Sequence, residues 1–391
     1  MKKEKQEFTE VLTRGVDEII EEESLIRRLK SGKELRIKLG IDPTSPNLHL
    51  GRSIPLLKLR DFQQLGHKVV FIIGDFTGVI GDTSDKESER PMLSEEVVQE
   101  NLKTYIKQAS NIIDIEKAEI NHNSNWLSKL GYSEIGKQAN AFSLNSFISR
   151  ENIKKRLDKG SRVSLRELLY PLMQGYDSVQ ITADVELGGT DQRFNMLAGR
   201  DLQRLYGQKP QDVITNPLVE GIDGRKMSSS YGNTVNLLDE PNDMFGKVMS
   251  INDDLIIKYF HLMTRIPLKE VAGYEEELKS GVNPRDIKLK LAFEIVRMYH
   301  SEEQSKKAQE YFIKTFTNKE TPEETLEFRA SNRNVLSILK ESGLASSRSE
   351  AKRIVEQGGV KIDGNTVTDD RKEVPTGSVL QKGKRKFLRI K

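Results

Sequence analysis

The stretch from Leu35 to Ile73 constrains the fold more than any other part of the chain. Leu35-Arg-Ile-Lys-Leu-Gly40 alternates like a strand, and Ile41-Asp-Pro-Thr-Ser-Pro-Asn47 is rich in turn formers. Leu50–Leu65 carries apolar residues at helical spacing. Val69-Val-Phe-Ile-Ile73 is an unbroken apolar run with Gly66 before it and Gly74 after it. A continuous apolar strand is one covered on both faces, as in a parallel sheet. Strand, helix and strand within about forty residues make a βαβ unit and predict a doubly wound α/β domain.

The rest of the chain is organised around that unit. Its 391 residues exceed what one ordinary core serves, so two or three domains are expected. Residues 1–35 read as an amphipathic helix (Phe8, Val11, Leu12, Val16, Ile19, Ile20) and a second short helix ending near Gly32. Residues 80–91 are polar and read as a loop. Residues 92–230 alternate helical segments with short apolar runs such as Val179–Ala183 and Val213–Thr215. Residues 241–316 read as mainly helical, and Thr317–Asn332, polar and Glu-rich, as a linker. From Val335 on, two helical patterns precede short strands punctuated by Gly358-Gly359, Asp363-Gly364 and Pro375-Thr-Gly377.

Composition narrows the function classes. There is no cysteine, which excludes disulfides and thiolate metal sites, and the five histidines lack ligand spacing, so no structural metal is expected. No apolar run reaches membrane length and the N-terminus does not read as a targeting segment, so a cytoplasmic protein is expected. The net charge is only +3, but Arg333–Lys391 holds 14 Lys and Arg against 7 Asp and Glu. A basic tail on a slightly acidic body suggests a polyanionic partner, although a solvated surface has the same appearance.

Three segments carry chemistry. Asp42-Pro-Thr-Ser-Pro-Asn-Leu-His49-Leu-Gly51-Arg52 follows a strand and opens a helix, where parallel α/β sheets bind nucleotides. The helix N-terminus suits phosphate, Gly51 permits close approach, and Thr44 and His49 can donate to a phosphoryl oxygen. On its own the segment also fits an ordinary capped helix. Lys226-Met227-Ser228-Ser229-Ser230, with Gly224 and Gly232 on either side, fits a mobile loop that holds and releases pyrophosphate, or a surface loop of chance composition. Leu187-Gly-Gly189-Thr-Asp191-Gln192 offers a close approach and a carboxylate for ribose hydroxyls, or simply a tight turn into a helix.

Taken together, a His-x-Gly element near the start and a Lys-Met-Ser-x-Ser element about halfway resemble the two signatures of class I aminoacyl-tRNA synthetases. Gly40-Ile-Asp-Pro-Thr-Ser-Pro-Asn-Leu-His49, Gly81-Asp82, Tyr170-Pro-Leu-Met-Gln174-Gly-Tyr-Asp177 and Gly188-Gly-Thr-Asp-Gln192 look like the bacterial tyrosyl enzymes within that class. Leu339–Arg353 and Gly358-Gly-Val-Lys-Ile-Asp-Gly364 resemble an S4 RNA-binding domain.

The resemblance implies a Rossmann-like catalytic domain with a connective insertion (1–225), a signature loop and α-helical domain (226–316), a linker (317–332) and an α+β S4 domain (333–391). It implies a tyrosine–tRNA ligase acting on L-tyrosine, ATP with Mg2+, and tRNA(Tyr), as a homodimer whose patch is expected within Asn140–Leu157. Asp82, Tyr170 and Gln174 then match residues that hold the α-amino group of tyrosine, Asp177 the phenol acceptor and Gln192 a contact to the carboxylate. Thr44, His49, Lys86, Arg90 and Lys226 match the phosphate and pyrophosphate binders. Gly40, Asp42, Gly51, Arg52, Gly189, Asp191, Met227, Ser228, Ser229 and Ser230 match the ATP site, and Arg348, Lys352, Arg353 and Lys361 the RNA face.

Three positions depart from the family pattern. Arg52 stands where His is usual. Ser229 stands where a second Lys is common, so pyrophosphate charge would come from Lys86, Arg90 or Arg225. Lys38 stands where many bacterial enzymes have a second phenol-binding Tyr, and could reach that subsite or pair with Asp177. A tryptophanyl enzyme shares both signatures, but Asp177 and the S4 tail argue against it. An RNA-binding protein on a synthetase scaffold is the alternative from another class.

Overall fold

The computed structural model describes residues 2–84, 92–317, 326–383 and 386–391. The chain divides into two compact units, Met1–Asp239 with Ile251–Ile287, and Glu240–Ser250 with Lys288–Lys391.

The first unit is built on a six-stranded sheet of order β1-β6-β5-β2-β3-β4. Its strands are β1 (Glu18–Ile20), β2 (Arg36–Ile41), β3 (Lys68–Ile73), β4 (Glu119–His122), β5 (Val185–Gly189) and β6 (Asp212–Asn216). All neighbours are parallel except β1, which pairs antiparallel with β6 at the edge. Before the sheet's first long strand come α1 (Lys2–Thr13) and α2 (Glu22–Lys30); α3 (Leu50–Gln64) makes the crossover from β2 to β3. The predicted βαβ unit is therefore present, and β3 is buried along five of its six residues.

From β2 the chain moves outward in one direction to β3 and β4, and β5 then pairs on the opposite side of β2. The carboxyl ends of β2 and β5 thus flank the point where the strand order reverses, the usual place for a ligand crevice. Around it run α4 (Asp75–Ile80), α5 (Glu95–Ala109), α6 (Ser124–Leu127), α7 (Tyr132–Ala139), α8 (Leu144–Ile148), α9 (Glu151–Asp158), α10 (Leu165–Gln180) and α11 (Arg193–Leu205). The start of α10 is set by a capping box between Ser164 and Glu167, and buried Arg156 clamps the Glu167 carboxylate. That double restraint fixes the helix carrying three of the predicted site residues.

Three local readings are corrected. Residues 18–20 form an edge strand rather than helix, because their backbone pairs with β6, far along the chain. The apolar run Val179–Ala183, set apart from the helical segments, begins in the last turn of α10 and runs through its C-cap at Ile181. Leu187-Gly-Gly189, which also fits a tight turn, lies within β5.

Downstream lie α12 (Pro241–Met249), α13 (Ile256–Met263), α14 (Leu268–Lys279), α15 (Pro284–Tyr299) and α16 (Glu302–Phe312), matching the helical reading of 241–316. The second unit ends in a sheet of order β7-β11-β10-β8-β9, formed by β7 (Leu326–Phe328), β8 (Val360–Ile362), β9 (Asn365–Val367), β10 (Val379–Lys382) and β11 (Lys386–Ile390). Helices α17 (Val335–Glu341) and α18 (Arg348–Glu356) pack with it around Val335, Ile338, Leu339, Val355 and Val360. Asp363 and Gly364, both with positive φ, make the two-residue turn between β8 and β9. The stretch read as a linker contains β7, which pairs parallel with β11, so Leu326–Phe328 belongs to the terminal sheet.

Candidate functional site

A cavity of ≈ 290 Å³ opens at the carboxyl ends of β2 and β5. Gly40 and Asp42 line it from the end of β2; Thr44, His49, Gly51 and Arg52 from the turn and first turn of α3. Asp82 enters after α4, and Tyr170, Gln174 and Asp177 from one face of α10. Gly189 ends β5, Asp191 and Gln192 follow it, and Lys226, Met227, Ser228, Ser229 and Ser230 also line the cavity. Lys86 and Arg90 lie outside the described residues.

His49 occupies the N-cap of α3, where its carbonyl accepts from the amides of Arg52 (2.8 Å) and Ser53 (3.2 Å). It is 7% exposed, and its Nδ1 is buried without a hydrogen-bond partner. Burial first, then the positive charges of Arg52 and Lys226, push its pKa down to about 3. The imidazole is therefore neutral at working pH, with one ring nitrogen able to donate a hydrogen bond, and is not a cation. Arg52 turns back onto the signature segment: its guanidinium donates to the Tyr105 hydroxyl (2.8 Å) and to Thr44 Oγ1 (3.2 Å). With that oxygen already accepting from Arg52, the Thr44 proton is left for another acceptor.

Asp42 is held on both oxygens, accepting from Thr77 Oγ1 and from Tyr170 Oη, each at 2.7 Å. Gly74 makes this possible, because a Cβ there would lie 1.9 Å from Asp42 Oδ1. Asp82 accepts from Gln192 Nε2 (2.7 Å) and from the amide (3.0 Å) and hydroxyl (2.6 Å) of Ser84. Thus Tyr170, Asp82 and Gln192, each predicted to hold part of tyrosine's zwitterion, line the same cavity.

Asp177 is 4% exposed and accepts from Trp126 Nε1 at 2.7 Å and from Asn123 Nδ2 at 3.3 Å. Burial pushes its pKa up to about 7; Lys38, then the two donors, pull the other way. Lys38 does not pair with it. The Lys38 ammonium is fully buried and reaches Glu186 Oε1 (2.9 Å), the Gln174 carbonyl (2.8 Å) and Ser178 Oγ (2.7 Å). Lys38 and Glu186 stand opposite each other on adjacent β2 and β5.

In the second signature loop, the Lys226 ammonium lies 3.4 Å from Asp191 Oδ2. Met227 is buried, its sulfur accepting from the Gly51 amide at 3.2 Å, so the two signature segments touch. Buried Asn233 staples the loop, accepting from the Ser228 amide (2.9 Å) and donating to the Lys226 carbonyl (3.0 Å) and Asp223 (2.6 Å). Arg225, a candidate replacement for the charge missing at Ser229, is instead paired with Asp223 and stacked over Tyr231. In the second unit, Arg348, Lys352 and Arg353 are exposed on α18 and Lys361 on β8.

Sequence reasoning missed Thr77, Asn123, Trp126 and Glu186. Trp126 is the only tryptophan of the chain, a cue by itself. Lys38 and Glu186 carried a stronger signal: a charge inside a strand covered on both faces must find a partner.

A family model described as tRNA synthetases class I (W and Y) matches residues 30–317, and an S4 domain model matches residues 335–380. The chain is 49% identical to the tyrosine–tRNA ligase of Thermotoga maritima over 390 residues, which cover 98% of this chain and 97% of that one. It is 48% identical to that of Haemophilus influenzae over 383 residues, covering 97% and 96%. Among solved structures, a C-terminally truncated mitochondrial tyrosyl-tRNA synthetase of Aspergillus nidulans shares the fold with a TM-score of 0.65 at 21% identity, over 78% of this chain and 93% of that one. The tyrosyl-tRNA synthetase of Archaeoglobus fulgidus complexed with L-tyrosine does so with a TM-score of 0.61 at 23% identity, over 76% and 98%. By both family models and by near-full-length identity, the chain belongs to the tyrosine–tRNA ligase family of the class I tRNA synthetases and carries a C-terminal S4 domain.

Proposed function

We propose that this chain joins L-tyrosine to tRNA(Tyr) in two steps. The carboxylate oxygen of tyrosine attacks the α-phosphorus of ATP, the bond to the bridging oxygen breaks, and pyrophosphate leaves with its electron pair. A terminal ribose hydroxyl of the tRNA then attacks the carbonyl of the adenylate, and AMP departs. The observation that carries this reading is the convergence on one cavity of both signature segments and the Tyr170–Gln174–Asp177 face.

Each role follows from the chemistry of the side chain. The Asp82 carboxylate accepts from the substrate ammonium, with Tyr170 and Gln174 as neutral partners. Gln192 donates to the substrate carboxylate, and Asp177 accepts from the phenol. Asp191 and Gly189 meet the ribose. Thr44 and neutral His49 donate to phosphoryl oxygens as negative charge builds on them, and Lys226 follows the departing pyrophosphate. Catalysis is then positioning plus electrostatic stabilisation, without a covalent enzyme intermediate. Magnesium accompanies ATP. Among the described residues no group of three His, Asp or Glu side chains gathers to hold a metal.

Domain roles follow the same reading: residues 1–225 perform activation, 226–316 supply the loop and helices, and 333–391 with β7 bind tRNA through Arg348, Lys352, Arg353 and Lys361. A homodimer is supported by exposed Leu144 (64%), Leu165 (78%) and Leu157 (45%), an apolar set that overlaps Asn140–Leu157. No helix among the described residues is long and apolar enough to cross a membrane, and a ligase using ATP and tRNA belongs in the cytoplasm. Amino-acid-dependent ATP–pyrophosphate exchange tests the activity. Exchange that depends on tyrosine supports it; exchange driven by tryptophan, or none at all, overturns it.

A further inference from the structure

We propose that the buried Lys38–Glu186 pair is a positioning device that fixes the side-chain amide of Gln174 so that its carbonyl oxygen faces the substrate ammonium. The inference rests on the tyrosine-binding reading above and goes beyond it to two residues outside the cavity lining.

The geometry is closed on every side. Glu186 is 1% exposed, and its Oε1 accepts from Lys38 (2.9 Å) and from Gln174 Nε2 (3.1 Å). Its Oε2 accepts from Ser178 Oγ (3.1 Å) and from Gln211 Nε2. The three ammonium protons of Lys38 have three acceptors: Glu186, the Gln174 carbonyl and Ser178. An ionised carboxylate only accepts, so the Gln174 amide must turn its nitrogen toward Glu186. Its oxygen is then the end left for the ligand. An amide flipped the other way would present N–H groups to an ammonium and repel it.

Lys38 serves this orientation twice. Its ammonium donates to the same Glu186 oxygen that accepts from Gln174 Nε2, which holds that carboxylate oxygen in place under the amide. Its bond to the Gln174 main-chain carbonyl anchors the same residue from the helix side. A buried ion pair is a poor source of stability compared with apolar residues of similar volume. Its use here is specificity of orientation at a substrate contact.

Tyramine and 3-(4-hydroxyphenyl)propionate separate the two ends of tyrosine: the first keeps the ammonium and lacks the carboxylate, the second keeps the carboxylate and lacks the ammonium. In the full-length protein, Lys38→Met combined with Glu186→Gln removes both charges together. Glu186→Asp keeps the pair but draws the carboxylate back from Gln174. Both variants should raise the tyrosine KM about tenfold or more while kcat changes less than about twofold. Both should weaken tyramine inhibition by a similar factor and leave inhibition by 3-(4-hydroxyphenyl)propionate unchanged. A merely structural role would weaken both inhibitors together. Equal losses, or no loss, in whichever variant folds overturn the positioning role. Wild-type exchange that does not depend on tyrosine overturns the underlying reading instead, so the two failures are distinguishable.

Discussion

Gln192 Nε2 donates to the Asp82 carboxylate at 2.7 Å, joining a donor and an acceptor that the substrate's carboxylate and ammonium would each engage. The pair is complementary to a zwitterion, so bound tyrosine would exchange one internal hydrogen bond for two charge-assisted ones. Asp82→Ala should raise the tyrosine KM by about tenfold to a hundredfold and leave the ATP KM within about twofold. Steady-state exchange kinetics with each substrate varied in turn check this; an ATP-selective defect would contradict the assignment.

The pH dependence should come from Asp177. Its pKa is about 7, whereas His49, at about 3, does not titrate in the working range. The phenol is bound best by the carboxylate, so kcat/KM for tyrosine should rise between pH 6 and 8 by about tenfold at most. Asp177→Asn should remove that limb, and His49→Ala should retain it.

The same shift sets a stability gradient. The folded-state pKa lies above the ordinary value of 3.8, so the folded chain holds a proton that the unfolded chain has released between these values. This contribution is fully present below about pH 4 and is lost as pH rises through about 7. Denaturation of wild type and Asp177→Asn at a series of pH values should therefore show the variant gaining relative stability from pH 4 to pH 8. A constant difference would mean that Asp177 is not buried as the structure has it.

Lys226 should act on the leaving group. Its ammonium is 3.4 Å from Asp191, which the ribose hydroxyls would compete for, placing it between nucleotide and loop. Lys226→Ala should lower the rate of adenylate formation by about 10- to 100-fold with tyrosine affinity nearly unchanged. Single-turnover formation of tyrosyl-adenylate separates rate from binding.

The terminal sheet should be needed for tRNA rather than for activation. Because β7 pairs with β11, truncation belongs after Thr317, not at Val335, to avoid stranding Leu326–Phe328. Full-length binding to tRNA should weaken steeply with salt, and the truncated protein should keep pyrophosphate exchange while losing most aminoacylation. Normal charging by the truncated protein would leave the basic tail without a role.

What could be read from sequence was local. The βαβ unit was legible because β3 is covered on both faces and its apolar run is short, and Asp363-Gly364 announced its hairpin. β1 and β7 were not, since three residues such as Glu18–Ile20 become a strand only through partners distant in sequence. In the site, residues within signature segments could be matched one by one. Supports from elsewhere could not: Trp126 on Asp177 and Glu186 under Gln174 depend on strand register and helix placement. Lys38 looked like a phenol contact or a partner of Asp177 because its position, but not its partner Glu186, was visible.

Activation of tyrosine in this cavity should depend on Asp177 reading the substrate hydroxyl. Phenylalanine lacks only that hydroxyl and leaves a buried acceptor unpaired. The direct measurement is the ratio of kcat/KM for tyrosine and phenylalanine in pyrophosphate exchange, in wild type and in Asp177→Ala. The ratio should be large in wild type and fall by at least about a hundredfold in the variant, mostly through loss of tyrosine activation. An unchanged ratio would place phenol recognition elsewhere than Asp177.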